Sequence, residues 1–533
     1  MDRIGPMGYA NPYMPEPRAE GPRWWPVYLI GIVAVVLVAM TWMGATDSSE
    51  RIRQDKVMMT ASVLLLASFL LLLWGVFFSR LPRRSRVLLV GGFFSLLAAF
   101  FALFEYRGVS GDLVPEFELR FRSSAANLAA DKASLPGVAD FPQFLGPNRN
   151  GEIEGVRLSR DWTADPPKLL WRRPVGRGWS GFAVSGNAAV TQEQHSAEER
   201  VVRYELSTGR VEWATREVAH YQNALAGEGP RATPTIHGGR VYAMGGSGLL
   251  TAIDLDSGKT LWKRDVIRDS ASDVPVWGKS DSPLVLDGLV IVAGGKSATL
   301  VAYDAENGEQ VWRVGDDGAG YASPFVATLA GVEQIVAWGG ASLTGHDIRT
   351  GHVLWKQAWP RRQPNVAQPL LLPGDRLLVS AGYGVGAKLF HVEQRSDESF
   401  VAEVVWESLR LKSKFANFVY YDGFVYGIDD GIMVCIDPEN GRRKWKRGRY
   451  GHGQLLLVRA QGEDDGLLIV QGEHGEIMLV EPSPDELREL TRFRALDGKI
   501  WNPPTLAGRY LLVRNDAEAA LFELPVRMEL SAR

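Results

Sequence analysis

The stretch "AIDLDSGKTLW", Ala252–Trp262, sets an acidic residue, two small polar residues, a glycine and a tryptophan in fixed order. A single copy would mark one β-hairpin. The chain repeats it as "ELSTGRVEW" (Glu205–Trp213), "DAENGEQVW" (Asp304–Trp312), "DIRTGHVLW" (Asp347–Trp355) and "DPENGRRKW" (Asp437–Trp445). Trp171 and Trp406 end similar strands without the full turn. From Trp171 through Trp213, Trp262, Trp312, Trp355, Trp406 to Trp445 the steps are 42, 49, 50, 43, 51 and 39 residues. A recurrence of that length, filled by short alternating β-branched runs such as "SPLVLDG", "LVIVAGG", "ATLVAYD" and "EQVWRVG", predicts a propeller of four-stranded blades. Within the repeat, Asp254 caps the turn, Asp256-Ser257 fit a type I turn and Gly258 takes the left-handed position. Trp262 then lies on the outermost strand, wedged against the neighbouring blade. The seven tryptophans are therefore read as blade-docking residues with no chemistry of their own.

Innermost strands are expected near Phe182, Pro234, Pro283, Pro324, Pro369, Phe418, Leu455 and Pro503. The last unit supplies three strands, "NPPTLAG", "RYLLVRN" and "ALFELP". Its outer strand is predicted to be "KLLWRRPV" (Lys168–Val175), from the opposite end of the domain. Such closure removes exposed sheet edges. The fold class is thus an all-β propeller of eight blades, residues 140–527, with antiparallel sheets and the last blade closed by both termini.

Three uncharged apolar runs precede it, at 27–43, 58–78 and 87–104, each near the roughly 20 residues a helix needs to cross hydrocarbon. Trp24, Trp25, Trp42 and Trp74 flank them as interfacial aromatics do. Three successive runs argue for permanent transmembrane helices over a cleaved signal peptide. The link "SRLPRRSR" carries Arg80, Arg83, Arg84 and Arg86, whereas the first link sets Arg51, Arg53 and Lys56 beside Asp47, Glu50 and Asp55. The positive-inside rule puts the four-arginine link and the tail 1–23 in the cytoplasm and the propeller outside, in a bacterial-type inner membrane. Residues 105–139 read as a mixed-charge linker, partly helical around Ala125–Asp131, and 528–533 as a tail.

The net charge of −3 gives no general case for nucleic acid. A single cysteine, Cys435, excludes an internal disulfide framework and any two-cysteine metal motif. No metal site is expected from the eight scattered histidines, and "GYGVGAKLF" (Gly382–Phe390) lies between strands, a poor phosphate site.

The repeat "Asp-x-x-Thr/Ser/Asn-Gly-x-x-x-Trp" resembles the docking motif of pyrroloquinoline quinone (PQQ) repeat propellers. "DFPQFLGPNRNGEIEG" (Asp140–Gly155) resembles the start of many such bacterial proteins. The similarity covers about Phe141 to Val526. WD40 fits less well, because no Trp-Asp pair ends these strands; the double glycines at 245, 294 and 339 echo Kelch weakly. The resemblance implies one of two roles. Some members are quinoprotein dehydrogenases holding PQQ and Ca²⁺ at the funnel mouth. Others lack the cofactor and serve as scaffolds, among them the lipoprotein propeller of the outer-membrane β-barrel assembly machinery. Membrane-bound glucose dehydrogenase likewise places helices before its propeller. The vicinal disulfide of soluble alcohol-oxidising members is impossible here, and blades of about 45 residues leave little room for a substrate lid. No acidic pair with Asn matches the calcium ligands, and Asp281 is one of many loop carboxylates available as a base.

Lys279, Lys414 and Lys499 each stand three residues before an equivalent inner-strand position, Ser282, Asn417 and Asn502. Arg231 precedes Thr233 by two and Arg177 precedes Gly181 by four. These linkers face one end of the channel, so the five cations are expected to ring its mouth and attract an anionic ligand or acidic peptide. "GRRKWKRGRY" (Gly441–Tyr450) is read as a basic outer strand that discourages edge pairing, or that meets anionic lipid or a partner. The leading expectation is a membrane-anchored, extracytoplasmic, non-catalytic scaffold that binds a protein partner of the envelope and needs no cofactor. Its alternative is a PQQ- and Ca²⁺-dependent alcohol or sugar dehydrogenase; a ligand sensor stands third.

Overall fold

The computed structural model describes residues 21–43, 53–121, 134–360, 364–460 and 465–527. The helix expected around Ala125–Asp131, the C-terminal tail and most of the N-terminal tail lie outside them, as do Asp47, Glu50 and Arg51. The chain divides into two compact units, and residues 106–116 belong with the propeller rather than with the helices.

In the helical unit, α1 (Trp25–Met43), α2 (Arg53–Leu73, continued by a π-helical turn Trp74–Phe78) and α3 (Arg83–Leu103) are long and apolar enough to cross a membrane. Their side chains are mostly exposed leucine, valine and phenylalanine, a surface suited to lipid. Polar groups appear where a partner exists. The Trp42 indole donates to Thr60 Oγ1 at 2.9 Å, and the Trp74 indole to the Arg23 carbonyl at 3.2 Å. Arg86 donates to the Val76 carbonyl, an acceptor that the end of the second helix leaves open, and to the Leu81 carbonyl of the following link.

The second unit is a closed wheel of eight four-stranded antiparallel blades. The final blade joins Thr505–Ala507, Tyr510–Arg514 and Glu518–Glu523 to Lys168–Pro174, with Leu521 opposite Trp171. The expected closure by both ends of the chain is therefore present. Two blades carry an addition absent from the sequence reading: Glu152–Glu154 lies parallel to the innermost strand Gln454–Arg459, and Glu217–Val218 extends the first blade.

The docking motif explains itself once the next blade is included. Trp171, Trp213, Trp262, Trp312, Trp406 and Trp445 donate their indole N–H to the carbonyls of Leu206, Leu255, Ala305, Arg349, Pro438 and Ser483, each in the following blade, at 2.7–3.0 Å. Five of the rings lie on the motif glycine of that blade. A Cβ would come within 2.6–2.8 Å of the ring at Gly209, Gly258, Gly308, Gly351 and Gly441, all of which also have φ between 65° and 74°. Glycine is thus required twice, for the turn and for the indole seat. A β-bulge recurs in the outer strand pair of every blade, between Ala252 and Ile253 for example, leaving Leu261 unpaired just before Trp262. The added twist aims the ring at its neighbour. Trp355 departs from the rule. The fifth blade lacks the motif turn, and this indole bonds Gln334 Oε1 of its own blade instead. In the seventh blade the tryptophan position, opposite Leu479, is Thr491.

A second ring of bonds stitches the innermost strands. Gly181 N–H donates to Thr233 Oγ1, Thr233 N–H to Ser282 Oγ, and Ser282 N–H to Ser323 Oγ. Gln368 Nε2 donates to the Ser323 carbonyl and Gln368 N–H to Asn417 Oδ1; Asn417 N–H donates to Gln454 Oε1. Gln471 Nε2 reaches the Asn502 carbonyl, and Asn502 Nδ2 reaches the Ser180 carbonyl, which returns to the first blade.

These seats predict a graded loss in denaturant unfolding. Trp262→Ala should cost about 3–5 kcal/mol. Gly308→Ala should cost clearly more than Gly288→Ala. Both glycines have positive φ, but a Cβ at Gly288 meets nothing within 4 Å whereas at Gly308 it meets the Trp262 ring. Equal losses at the two glycines would remove the indole seat from the argument.

Candidate functional site at the funnel mouth

Phe104–Val109 and Pro115–Leu119 form a two-stranded hairpin directly after α3. Its distal part packs where the linkers into the innermost strands converge. Lys414 Nζ donates to the Gly111 carbonyl at 2.7 Å, and Lys499 Nζ to the Val109 carbonyl at 2.8 Å and the Arg107 carbonyl at 3.3 Å. Gly111 N–H in turn donates to Glu473 Oε1 at 2.6 Å. Asp112 sits 3.3 Å from His452 Nε2 and 3.6 Å from Arg449, Glu116 lies 3.4 Å from Lys499, and Arg107 pairs with Asp516 at 3.1 Å.

An aromatic shelf lies beneath. Trp179 and Trp501 have ring centroids 5.0 Å apart, Trp501 and Phe415 5.0 Å, and Phe415 and His452 5.6 Å. The Lys499 ammonium lies 4.4 Å from the Trp501 centroid and 5.3 Å from that of Trp179, a cation held between two π faces. Burial pulls the pKa of Lys499 down, opposed by the charge of Glu116. For Glu473, burial alone would raise the pKa. The charge of His452 and the N–H bonds from His452, Gly111 and the Trp501 indole outweigh it and hold the carboxyl below its ordinary value.

Of the five cations singled out in the sequence, Lys414 and Lys499 grip this one stretch of chain. Lys279 is buried against Asp281 at 2.7 Å and donates to the Ala293 and Gly294 carbonyls. Arg231 bonds the Gly227 and Gly229 carbonyls and lies over the Tyr221 ring; burial brings its pKa to about 10. Arg177 stands 3.5 Å from Glu228. Asp281 also accepts the Ala293 N–H, so both its oxygens are engaged in the wall. In the basic strand Arg442–Arg449, Lys446 pairs with Asp429 at 2.6 Å and Arg449 faces Asp112.

Sequence reading missed Glu473, His452, Gly111 and Asp112. Trp179 and Trp501, two tryptophans off the docking spacing and close before inner strands, were the available signal. It also missed Arg149. This residue comes from the leading segment and donates to the Ser282 carbonyl at 2.8 Å and the Pro283 carbonyl at 2.9 Å. Full burial lowers its pKa to about 9, opposed by the charge of Asp281. Near its base opens a cleft of about 770 Å³ lined by Asn148, Glu152, Asp375, Asp422 and Arg459, among others.

The resemblance noted above implies PQQ and Ca²⁺ at this mouth. The residues present do not fit that pair. The lysines hold peptide carbonyls, Glu473 holds three N–H groups, and among the described residues no group of three or more His, Cys, Asp or Glu could hold a metal ion.

Blades closed by both chain ends, indoles seated on glycines and a preceding set of membrane-length helices define a PQQ-like repeat propeller with a candidate membrane anchor. Residues 160–265 and 220–447 match the family described as outer membrane protein assembly factor BamB, and the chain belongs to that family. It is similar to the outer membrane protein assembly factor BamB of Bordetella pertussis, 25% identical over 360 residues, or 65% of this chain and 84% of that protein. Against the same factor of Shewanella oneidensis it is 26% identical over 241 residues, 43% of this chain and 59% of that protein. Among solved structures it is similar to the quinohemoprotein alcohol dehydrogenase from Comamonas testosteroni, with TM-score 0.51 and 13% identity over 74% of this chain and 82% of that one. That last likeness is one of fold alone.

Glu199, a neighbour of Arg231, supplies a test of the electrostatics here. Burial pushes its carboxyl from 4.5 up to about 7, against the bond from Gly246 N–H and the charge of Arg231. Between those values the folded protein binds the proton and the unfolded chain does not. Stability is therefore fully present below about pH 4.5 and declines as pH rises through 7. Glu199→Gln should lower the fall in Tm between pH 5 and pH 8; an unchanged slope in thermal melts would contradict the assignment.

Proposed function

We propose that this protein is a non-catalytic, protein-binding scaffold of the cell envelope, anchored in the inner membrane by three helices with the propeller on the extracytoplasmic side. One observation carries the reading. The groups at the funnel mouth recognise peptide backbone, with lysine ammoniums on carbonyls and a buried carboxylate on an N–H. Membership of a family described as an outer membrane protein assembly factor supports it. So does the commitment of the mouth to the chain itself, where a dehydrogenase would need space for its quinone. Arg80 and the arginines in the first turn of the third helix, Arg83, Arg84 and Arg86, support a cytoplasmic position for that link.

Crosslinking in intact membranes followed by pull-down of the full chain should recover a defined envelope protein; recovery of bait alone would sink the scaffold. Added PQQ and Ca²⁺ should produce neither dye-linked alcohol or sugar oxidation nor a thermal shift. Orientation is readable by labelling, because Cys435 is fully buried. In spheroplasts, a membrane-impermeant maleimide should modify Ala139→Cys and spare Ser85→Cys; the reverse pattern would invert the topology.

A further inference from the structure

We infer that the funnel mouth is a peptide-binding site whose resident ligand is the chain's own Ser110-Gly111-Asp112 turn, standing where a partner's extended segment with a Gly-Asp turn would bind. The partner half of this inference rests on the scaffold reading; the resident ligand does not.

Three features make the site a reader of one short peptide. The first is backbone capture. Lys499 and Lys414 hold the carbonyls of Arg107, Val109 and Gly111, Glu473 holds the Gly111 N–H, and the Leu225 carbonyl accepts the Val109 N–H at 3.3 Å. These bonds follow the path of the main chain and accept any segment that takes it. The second is a requirement for glycine. A Cβ at Gly111 would fall 2.1 Å from the His452 ring, which is itself 1% exposed and has no room to yield. The third is a requirement for an acid one residue later, where Asp112 meets His452 and Arg449 with Lys414 adding its charge.

The energetics favour exchange over vacancy. Lys414, Lys499, His452 and Glu473 are all buried with the turn in place, and its release strips each of a hydrogen-bond or ion-pair partner. An empty mouth is therefore unfavourable, while a mouth refilled by an equivalent peptide keeps every bond. The hold of the resident turn is mainly polar. Among its apolar side chains Val109 is buried, Leu113 half-buried, and Tyr106 and Val114 exposed. Tethering at high effective concentration, rather than a large apolar contact, keeps it in place.

The test uses full-length protein in detergent and a fluorescein-labelled peptide of sequence RGVSGDLVPE, residues 107–116. Gly111→Val expels the resident turn, so the variant should bind the peptide roughly tenfold or more tightly than the wild type does, by polarisation. The peptide carrying Gly111→Val, and the native peptide offered to the Gly111→Val/Lys414→Met protein, should each lose that binding. If Gly111→Val does not fold, Asp112→Asn in the protein adds no bulk and should give the same ranking with a smaller gain. Equal binding by wild type and variant, or binding by neither when the variant melts cooperatively, overturns the inference. The two readings fail separately. Peptide binding with an empty pull-down retires the scaffold and leaves the resident ligand. A partner recovered equally with the wild type and with Gly111→Val/Lys414→Met places its contact elsewhere and retires the exchange at the mouth.

Discussion

Six of the eight blades are finished by their neighbours. An indole on one outermost strand lies on a glycine of the next blade and donates to a carbonyl beside it, so neither sheet buries its apolar face alone. The inner ring of side chains on backbone N–H groups does the same for polar atoms around the channel. With the inner ring closed and six of the eight blade junctions bridged by an indole, the innermost strands are fixed relative to one another, and the linkers that precede them hold their ionisable groups in fixed positions. Lys414 and Lys499 can grip separate carbonyls of one turn because eight sheets hold their angular spacing.

Each end of the channel meets a segment from outside the wheel. Arg149 reaches the Ser282 and Pro283 carbonyls from the leading segment, and the Tyr106–Glu116 stretch packs at the mouth. Both segments bring polar backbone or a guanidinium to groups that burial would otherwise leave without partners. Arg149 and the Tyr106–Glu116 stretch thus line the channel with hydrogen-bonded polar groups.

The wheel was legible because its determinants are local. A turn acid, a left-handed glycine and a tryptophan recur within nine residues, and the Lys168–Val175 strand completes an obvious deficit at the other end. The spacing of Lys279, Lys414 and Lys499 before inner strands was equally visible. What each ammonium touches was not, since Lys414 meets a carbonyl 303 residues away and Lys499 one 390 away. Nothing in "RGVSGDLVPE" announces a ligand: it is short, mixed in charge and reads as a linker. The recurrent bulge was hidden for another reason, because an extra residue in an alternating strand looks like ordinary alternation until the partner register is known. Thr491 in place of a tryptophan, and Gln334 receiving Trp355, are exceptions that a repeat-based reading smooths over.

Closure of the last blade with Lys168–Pro174 has a consequence for biogenesis. That strand leaves the ribosome long before Glu518–Glu523, its hydrogen-bonding partner, exists. Until that partner is made, an amphipathic edge stays open at the front of the nascent domain, liable to pair with foreign strands. The wheel is therefore completed only once Glu518–Glu523 has been made. A message truncated before codon 518 would yield a protein with seven potential blades and an unpaired first strand, a natural substrate for quality-control proteases.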